Sequence, residues 1–256
     1  MAPSSKPVIV LVQGSFQLPE VYYKLADALR TSGYRVFQPV LPSLTDQDKP
    51  EFASRSLTDD VLAIRFKVKE LVEEGEMVIV VMHSYGGLVG TEAVTQDLSF
   101  EKRKSKGLPG GVVHMFYFAA FILAEGHSVL DVFGESPHNL VKPNGRFALK
   151  NTAEILYHDL PAAEAKYWES KTVDQSYAVQ TTKMTNEGFR FVPSTYVVCE
   201  NDRGPPQQYQ EMFGKTAGSD VLKISSGHSP MLSHTEKLVE KIDLAVKSAV
   251  KGKAVQ

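Results

Sequence analysis

The sequence has one cysteine, no long apolar run and almost no net charge, and each scarcity excludes a class of protein. Cys199 can form no internal disulfide, and no cysteine pair is present to bind a metal, so a reducing, cytoplasmic location is expected. The apolar stretch Val8 to Val12 is too short for the core of a signal peptide or for a membrane span. The net charge of −2 gives no field that would hold phosphate backbones or anionic lipid, so we predict no nucleic-acid and no membrane partner.

The composition is that of a globular protein. The chain has 256 residues, of which 43% are hydrophobic and 23% charged, which is enough to bury a large apolar core. We expect one domain with a modest insertion. The single basic run, Lys102 to Lys106, is interrupted by serine, and we interpret it as a solvated loop.

Short apolar runs alternate with longer segments of helical period, a pattern typical of a parallel sheet with covering helices. There is no internal repeat and no low-complexity tract. The runs predicted as strands are Val8 to Val12, Tyr34 to Phe37, Met77 to Met82, Gly111 to Phe118, Ser194 to Cys199 and Val221 to Ile224. The segments predicted as helices are Glu20 to Ser32, Ser56 to Glu74 and roughly His234 to Val250. The sequence therefore predicts an α/β fold.

Between about Glu125 and Arg190 the strand alternation fades. The segment contains many aromatic residues, namely Phe133, Phe147, Tyr157, Tyr167, Trp168 and Tyr177. We interpret residues 125–190 as an inserted, mainly helical cap over the mouth of the sheet, and residues 1–124 with 191–256 as the core. The same composition also fits ordinary surface helices whose aromatic residues face the core.

A serine lies at the junction of a predicted strand and a predicted helix. The run Met77 to Met82 leads into His83-Ser84-Tyr85-Gly86-Gly87, and a helix-compatible segment follows. A sharp turn at this point exposes the serine above the sheet, as in the nucleophile elbow Gly-x-Ser-x-Gly. Met82 replaces the first glycine, so its bulky side chain must find room beside the turn. The alternative is a serine that only caps the following helix.

A serine hydroxyl needs a base to accept its proton and a third group to hold that base. In this fold the three groups are expected in the chain order serine, acid, histidine. Asp202 is the candidate acid, because it lies in the loop after the strand Ser194 to Cys199, and Glu200 is the rival acid. His228 is the one histidine in the loop after the last strand. The other histidines lie before the serine, within a strand, in or near the cap, or at the start of the last helix: His83, His114, His127, His138, His158 and His234. We therefore predict the triad Ser84, His228 and Asp202.

Two backbone N–H groups are candidates for an oxyanion hole. Tyr85 follows the nucleophile, and Ser15 lies in the glycine-containing turn after the first strand. Such donors stabilise the charge that develops on the carbonyl oxygen during acyl transfer. The alternative for Ser15 is an ordinary loop between a strand and a helix.

With these residues in place, the chain resembles the plant methylesterase and hydroxynitrile lyase branch of the α/β-hydrolases. The resemblance runs from Val8 almost to the C-terminus through four further segments, YYKLADALRTSGYRVFQPVLPS, HMFYFAAFILAEGHSV, YVVCENDRGPPQQYQ and GHSPMLSHTEKL. It implies the α/β-hydrolase fold, with a mainly parallel central sheet flanked by helices. It also assigns nucleophile, acid and base to Ser84, Asp202 and His228, and oxyanion donors to the backbone of Ser15 and Tyr85. It hints at a homodimer.

Two positions separate the lyases from the esterases of this branch. The lyases have threonine where this chain has Gly14, and lysine after the catalytic histidine where this chain has Ser229. The resemblance therefore favours an esterase. Gln13 replaces a histidine typical of the esterases and Met82 replaces the elbow glycine, which indicates a relative outside the plant group.

The implied reaction is hydrolysis of a small, largely apolar carboxylic ester, such as a methyl ester or a lactone, through an acyl-enzyme. No metal, nucleotide or other cofactor is needed for it. Two alternatives remain open. The same residues could perform carbon–carbon cleavage, cyclisation or transacylation in a biosynthetic enzyme, or the pocket could belong to a small-ligand receptor with incidental turnover.

Overall fold

The computed structural model describes residues 6–251. Its strands are β1 (Val8–Val12), β2 (Val36–Phe37), β3 (Met77–His83), β4 (Gly111–Phe118), β5 (Asn139–Val141), β6 (Arg146–Leu149), β7 (Gln175–Ser176), β8 (Ser194–Cys199) and β9 (Asp220–Ile224). Six of them form a central sheet in the order β2-β1-β3-β4-β8-β9. All neighbours in this sheet run parallel.

The helices pack mainly on the two faces of this sheet. They are α1 (Tyr23–Thr31), α2 (Pro42–Thr45), α3 (Leu57–Glu73), α4 (Gly86–Ala93), α5 (Phe100–Ser105), α6 (Val129–Phe133), α7 (Thr152–Leu156), α8 (Ala162–Ser170), α9 (Ala178–Thr181), α10 (Gln207–Thr216), α11 (Pro230–Ser233) and α12 (Thr235–Val250). Short 3-10 turns occupy Pro19–Tyr22, Phe52–Ser54, Gln96–Leu98 and Gly188–Arg190. No helix within residues 6–251 is long and apolar enough to cross a membrane.

The inner strands β1, β3, β4 and β8 are buried along their whole length because both faces of the sheet are covered there. In β1, Val8, Val10 and Val12 join one apolar cluster, whereas Ile9 and Leu11 join the other. Residues of α3 and α4 complete the first cluster, and residues of α1 and α12 complete the second. The sheet is therefore the middle layer of an α/β/α arrangement, and the predicted α/β class is confirmed.

Several predicted boundaries match the structure, and local chemistry accounts for the differences. Helix α3 begins after Ser56, whose side chain forms a capping box with Asp59. The predicted helix from Glu20 starts instead as a 3-10 turn, and α1 begins at Tyr23. The prediction of a loop at the basic run is wrong, because all but the last of these residues belong to α5, which Ser99 caps. The guanidinium of Arg103 is buried and donates to the carbonyl oxygens of Val72 and Pro109.

The segment between β4 and β8 contains helices α6 to α9, as the composition indicated. It also contains a three-stranded antiparallel sheet in the order β5-β6-β7, which the sequence did not predict. Its strands have three, four and two residues, too few for an alternating pattern to be recognised.

Candidate active site

Ser84 lies at the turn between the end of β3 and the start of α4, near the centre of the sheet. Its backbone is in the left-handed region, with φ of +52°, which is sparsely populated by residues other than glycine and costs conformational energy. The turn presents Ser84 at the edge of a cavity above the carboxyl ends of the strands. This is the geometry of a nucleophile elbow.

Glycines allow the neighbouring loops to approach this turn closely. A Cβ on Gly14 would lie 2.8 Å from Ser84 Cβ, and a Cβ on Gly86 would lie 2.6 Å from the carbonyl oxygen of Val12. A Cβ on Gly87 would overlap with the carbonyl oxygen of Phe121. The elbow is thus packed against the loops that follow β1 and β4.

Met82 is accommodated by a glycine elsewhere in the chain. Its side chain is fully buried and points at α4, where a Cβ on Gly90 would overlap with its sulfur. In the usual pattern, a glycine two residues before the serine keeps the turn free of a bulky side chain. Here the absence of a side chain at Gly90, on the helix that follows the elbow, leaves space for Met82 instead.

His228 and Asp202 form a buried pair on the loops after β9 and β8. His228 Nδ1 lies 2.8 Å from Asp202 Oδ2 and 3.0 Å from Oδ1. The same carboxylate accepts hydrogen bonds from the amide of Gly204 at 2.7 Å and from Nε2 of Gln210 at 3.0 Å. Four contacts fix its orientation. The rival acid, Glu200, faces solvent.

An aspartate that the sequence analysis missed holds the backbone next to His228. Asp159 Oδ2 accepts from the amide of Gly227 and from the hydroxyl of Ser233, both at 2.7 Å. Asp159 lies between α7 and α8, in the segment interpreted as a cap. Its sequence separation from Gly227 is 68 residues, so no local pattern could have revealed the contact.

Ser84 and His228 border the same cavity, together with Ser15 and Tyr85. No hydrogen bond within residues 6–251 joins the Ser84 hydroxyl to the His228 ring. Such bonds are often long without substrate and tighten when it binds. In the same part of the chain, the backbone N–H groups of Ser15 and Tyr85 have no acceptor. Both amides can therefore donate to a ligand oxygen.

A second buried carboxylate supports Tyr85. The Tyr85 hydroxyl donates to Asp60 Oδ2 at 2.8 Å, and Ser43 donates to Asp60 through its amide at 2.9 Å and its hydroxyl at 2.6 Å. Burial raises the pKa of Asp60 to about 7. Gln175, from β7, donates to the Ser43 hydroxyl at 2.9 Å, so the network connects the small sheet to the elbow. The sequence analysis missed this network as well.

The cavity has a volume of about 250 Å³, and its wall is mostly apolar. Besides Tyr85, the phenylalanine and tyrosine residues that line it are Phe16, Phe121, Phe133, Phe147, Tyr209 and Phe213. Among the aromatic residues of segment 125–190, Phe133 and Phe147 line the cavity, whereas Trp168 is buried in the core. The interpretation of the segment as a cap stays a prediction.

Comparison with known proteins shows what the whole chain is similar to. A model of the alpha/beta hydrolase family matches residues 9–241. The chain is 28% identical over 256 residues to the alpha/beta hydrolase nvfD of Aspergillus novofumigatus (strain IBT 16806), covering 96% of this chain and 98% of that protein. It is 26% identical to methyl jasmonate esterase 1 of Vitis vinifera, covering 88% of this chain and 90% of that protein.

Solved structures add evidence on the fold. Polyneuridine aldehyde esterase superposes with a TM-score of 0.73 at 18% identity, covering 93% of this chain and 99% of that chain. A likeness at this identity supports the fold alone. Together, the comparisons confirm the fold and the resemblance to the methylesterase branch that the sequence indicated.

Proposed function

The chain belongs to the alpha/beta hydrolase family, and we propose that it hydrolyses a small, largely apolar carboxylic ester, either a methyl ester or a lactone. In this proposal Ser84 is the nucleophile, His228 the general base and acid, and Asp202 the group that orients His228. The observation that carries it is the strained Ser84 at the edge of a cavity that is also bordered by His228, itself hydrogen-bonded to a buried carboxylate.

The chemistry begins when Ser84 Oγ attacks the ester carbonyl carbon and its proton moves to His228 Nε2. Asp202 stabilises the imidazolium that forms. The backbone N–H groups of Ser15 and Tyr85 donate to the negative oxygen of the tetrahedral intermediate. Loss of one such donor costs about a hundredfold to a thousandfold in rate.

Collapse of this intermediate breaks the bond to the leaving oxygen, which takes the proton from His228 and becomes an alcohol. The alcohol departs when the substrate is a methyl ester and stays attached to the acyl group when it is a lactone. Water then attacks the acyl-enzyme and gives a proton to His228. The second intermediate releases the carboxylic acid, and Ser84 recovers its proton from His228.

The shape and lining of the cavity support the substrate class. Aromatic and aliphatic side chains give an apolar acyl or alcohol group a favourable environment. A volume of about 250 Å³ suits a small molecule. The name of the relative methyl jasmonate esterase 1 describes an enzyme of this kind. Residues 125–190 supply part of the wall, which supports their role as a cap on a core formed by residues 1–124 and 191–256.

The test is release of p-nitrophenol from short acyl esters by the wild type and by Ser84→Ala, with circular dichroism to show that both are folded. We expect the variant to lose about a thousandfold or more. Reactions in ¹⁸O-labelled water follow, because hydrolysis alone places solvent oxygen in the acid. Turnover without label would favour carbon–carbon cleavage, cyclisation or transacylation. Tight ligand binding with no turnover would favour a receptor.

A further inference from the structure

A chain of buried polar side chains lies directly behind the proposed triad. Tyr22 Oη is 2.7 Å from the amide nitrogen of Gly14 and 2.7 Å from Nδ1 of His83. His83 Nε2 is 2.8 Å from the carbonyl oxygen of His228. Tyr22 and His83 are fully buried, so these bonds do not compete with water.

We propose that Tyr22 is a positioning residue. Its hydroxyl holds the oxyanion loop, residues 13–16, and the base-bearing loop, residues 225–229, in place relative to the elbow. The proposal rests on the proposed function, since it concerns how Ser15 and His228 reach their places relative to Ser84. It assigns no contact between Tyr22 and substrate.

The position of each proton in the network follows from which atoms can donate a hydrogen bond and which can only accept one. A carbonyl oxygen only accepts, so His83 Nε2 must carry a hydrogen to bond His228. Burial and the neighbouring His228 hold the pKa of His83 well below its usual range, so the ring is neutral and Nδ1 carries none. Nδ1 must then accept, and the one hydroxyl proton of Tyr22 is committed to it.

Gln17 completes the assignment. Its amide lies 2.9 Å from Tyr22 Oη through Oε1 and 3.0 Å from Tyr157 Oη through Nε2. Tyr22 has no second proton to donate. The side-chain amide of Gln17 must therefore be flipped by about 180°, so that its nitrogen rather than its oxygen faces Tyr22 and donates to it. Its oxygen then accepts from the hydroxyls of Tyr157 and Ser229. Each contact then has one donor and one acceptor, and the orientation of an amide is assigned in this way from its neighbours.

The two ends of the network contact the loop that carries Ser15 and the loop that carries His228. Gly14 immediately precedes Ser15, and a Cβ on Gly14 would be 3.0 Å from His83 Nδ1, so the oxyanion loop is packed on the His83 ring. That ring also lies 4.7 Å from the ring of His228, between centroids. One hydroxyl therefore links the donor of the oxyanion hole to the backbone of the base.

Tyr22→Phe removes this hydroxyl and keeps the ring. It leaves the Gly14 amide without an acceptor and His83 Nδ1 without a donor. We expect kcat for p-nitrophenyl acetate to fall about tenfold to a hundredfold. The loss is moderate because the neighbouring amide of Ser15 is displaced from the developing oxyanion rather than removed. We expect KM to stay within about threefold, since no contact with the ground state is lost.

Tyr157→Phe is the matched control. It makes the same chemical change in a buried tyrosine of the same network, yet its one hydrogen bond is to Gln17. We expect its kcat within about threefold of the wild type. A Tyr22→Phe variant that keeps full kcat would overturn the proposal, because the network would then act only on stability. A Tyr157→Phe variant that loses as much kcat would overturn it too, because the loss would then not be specific to the Tyr22 hydroxyl.

A readout that needs neither turnover nor a variant is the ¹⁵N NMR spectrum of histidine-labelled wild type. We expect His83 to be neutral with the hydrogen on Nε2 from pH 5 to 8. A protonated His83 or the opposite tautomer would refute the assignment. Absence of ester turnover in the wild type with this tautomer present would count against the proposed function and leave the positioning network standing.

Discussion

Met82 and Gly90 are expected to be energetically coupled. Met82 is fully buried, and its sulfur occupies the space that a Cβ on Gly90 would need. Met82→Ala leaves a cavity and should lower the free energy of unfolding by about 2–5 kcal/mol. Gly90→Ala gains about 1 kcal/mol of helix propensity and loses about 1–3 kcal/mol to overpacking, so it should be neutral or destabilising alone.

In the Met82→Ala background the balance changes. The overlap with sulfur is gone and the new methyl group fills part of the cavity, so Gly90→Ala should stabilise the protein by about 1 kcal/mol. The double-mutant cycle should thus show a coupling of about 1–3 kcal/mol. Urea unfolding, followed by fluorescence and circular dichroism, measures all four proteins.

The control pairs Gly90→Ala with Met231→Ala. Met231 is also a fully buried methionine, but it belongs to the apolar cluster on the opposite face of the sheet. This pair should be additive within about 0.5 kcal/mol. Additivity of the Met82 pair to the same degree would refute the claim that Gly90 makes room for Met82.

Further predictions concern the carboxylates of Asp202, Asp159 and Asp60. Asp202→Asn should lower kcat about a thousandfold or more, because it leaves His228 in the wrong tautomer; equal kcat in a kinetic comparison would remove Asp202 from the triad. Asp159→Ala should lower kcat, whereas Asp159→Asn, which keeps an acceptor for the Gly227 amide, should recover most of it; equal loss in both would contradict a role through that hydrogen bond. The pKa of Asp60 is raised from 3.8 to about 7 in the folded protein, so its contribution to stability is present below about pH 4 and lost as the pH rises towards 7. As the pH rises from about 4.5 to about 8, the free energy of unfolding of Asp60→Asn should therefore increase relative to that of the wild type, by at most about 4 kcal/mol. Denaturant titrations at these two pH values measure this difference. The same difference at both pH values would show that Asp60 does not titrate as described.

The central sheet was predictable because its inner strands are mostly apolar and buried on both faces, and because segments of helical period separate its strands. The runs Gly111–Phe118 and Ser194–Cys199 were bounded correctly. The hairpin of β5 and β6 was not recognised, since strands of so few residues carry no readable alternation. The basic run was misread because the burial of Arg103 depends on carbonyl groups that fold against it.

The candidate site follows the same division. Ser84, Asp202 and His228 each follow a predicted strand, and chain order selects them from their neighbours; their catalytic role stays a prediction. The contacts that support these residues could not be predicted, because they join residues that are far apart in the sequence. Tyr22 and His83 are 61 positions apart, and Gln17 and Tyr157 are 140 apart. No periodicity encodes such pairs, and they arise only when the loops fold over one sheet edge.

The most direct test of the proposed mechanism is covalent labelling with a fluorophosphonate, followed by peptide mass spectrometry. The phosphonyl group should be found on Ser84 at one equivalent, and His228→Ala should abolish the rapid phase while remaining folded. A label on another residue, or rapid labelling of Ser84 that is unchanged in His228→Ala, would contradict the assignment of Ser84 and His228 as nucleophile and base.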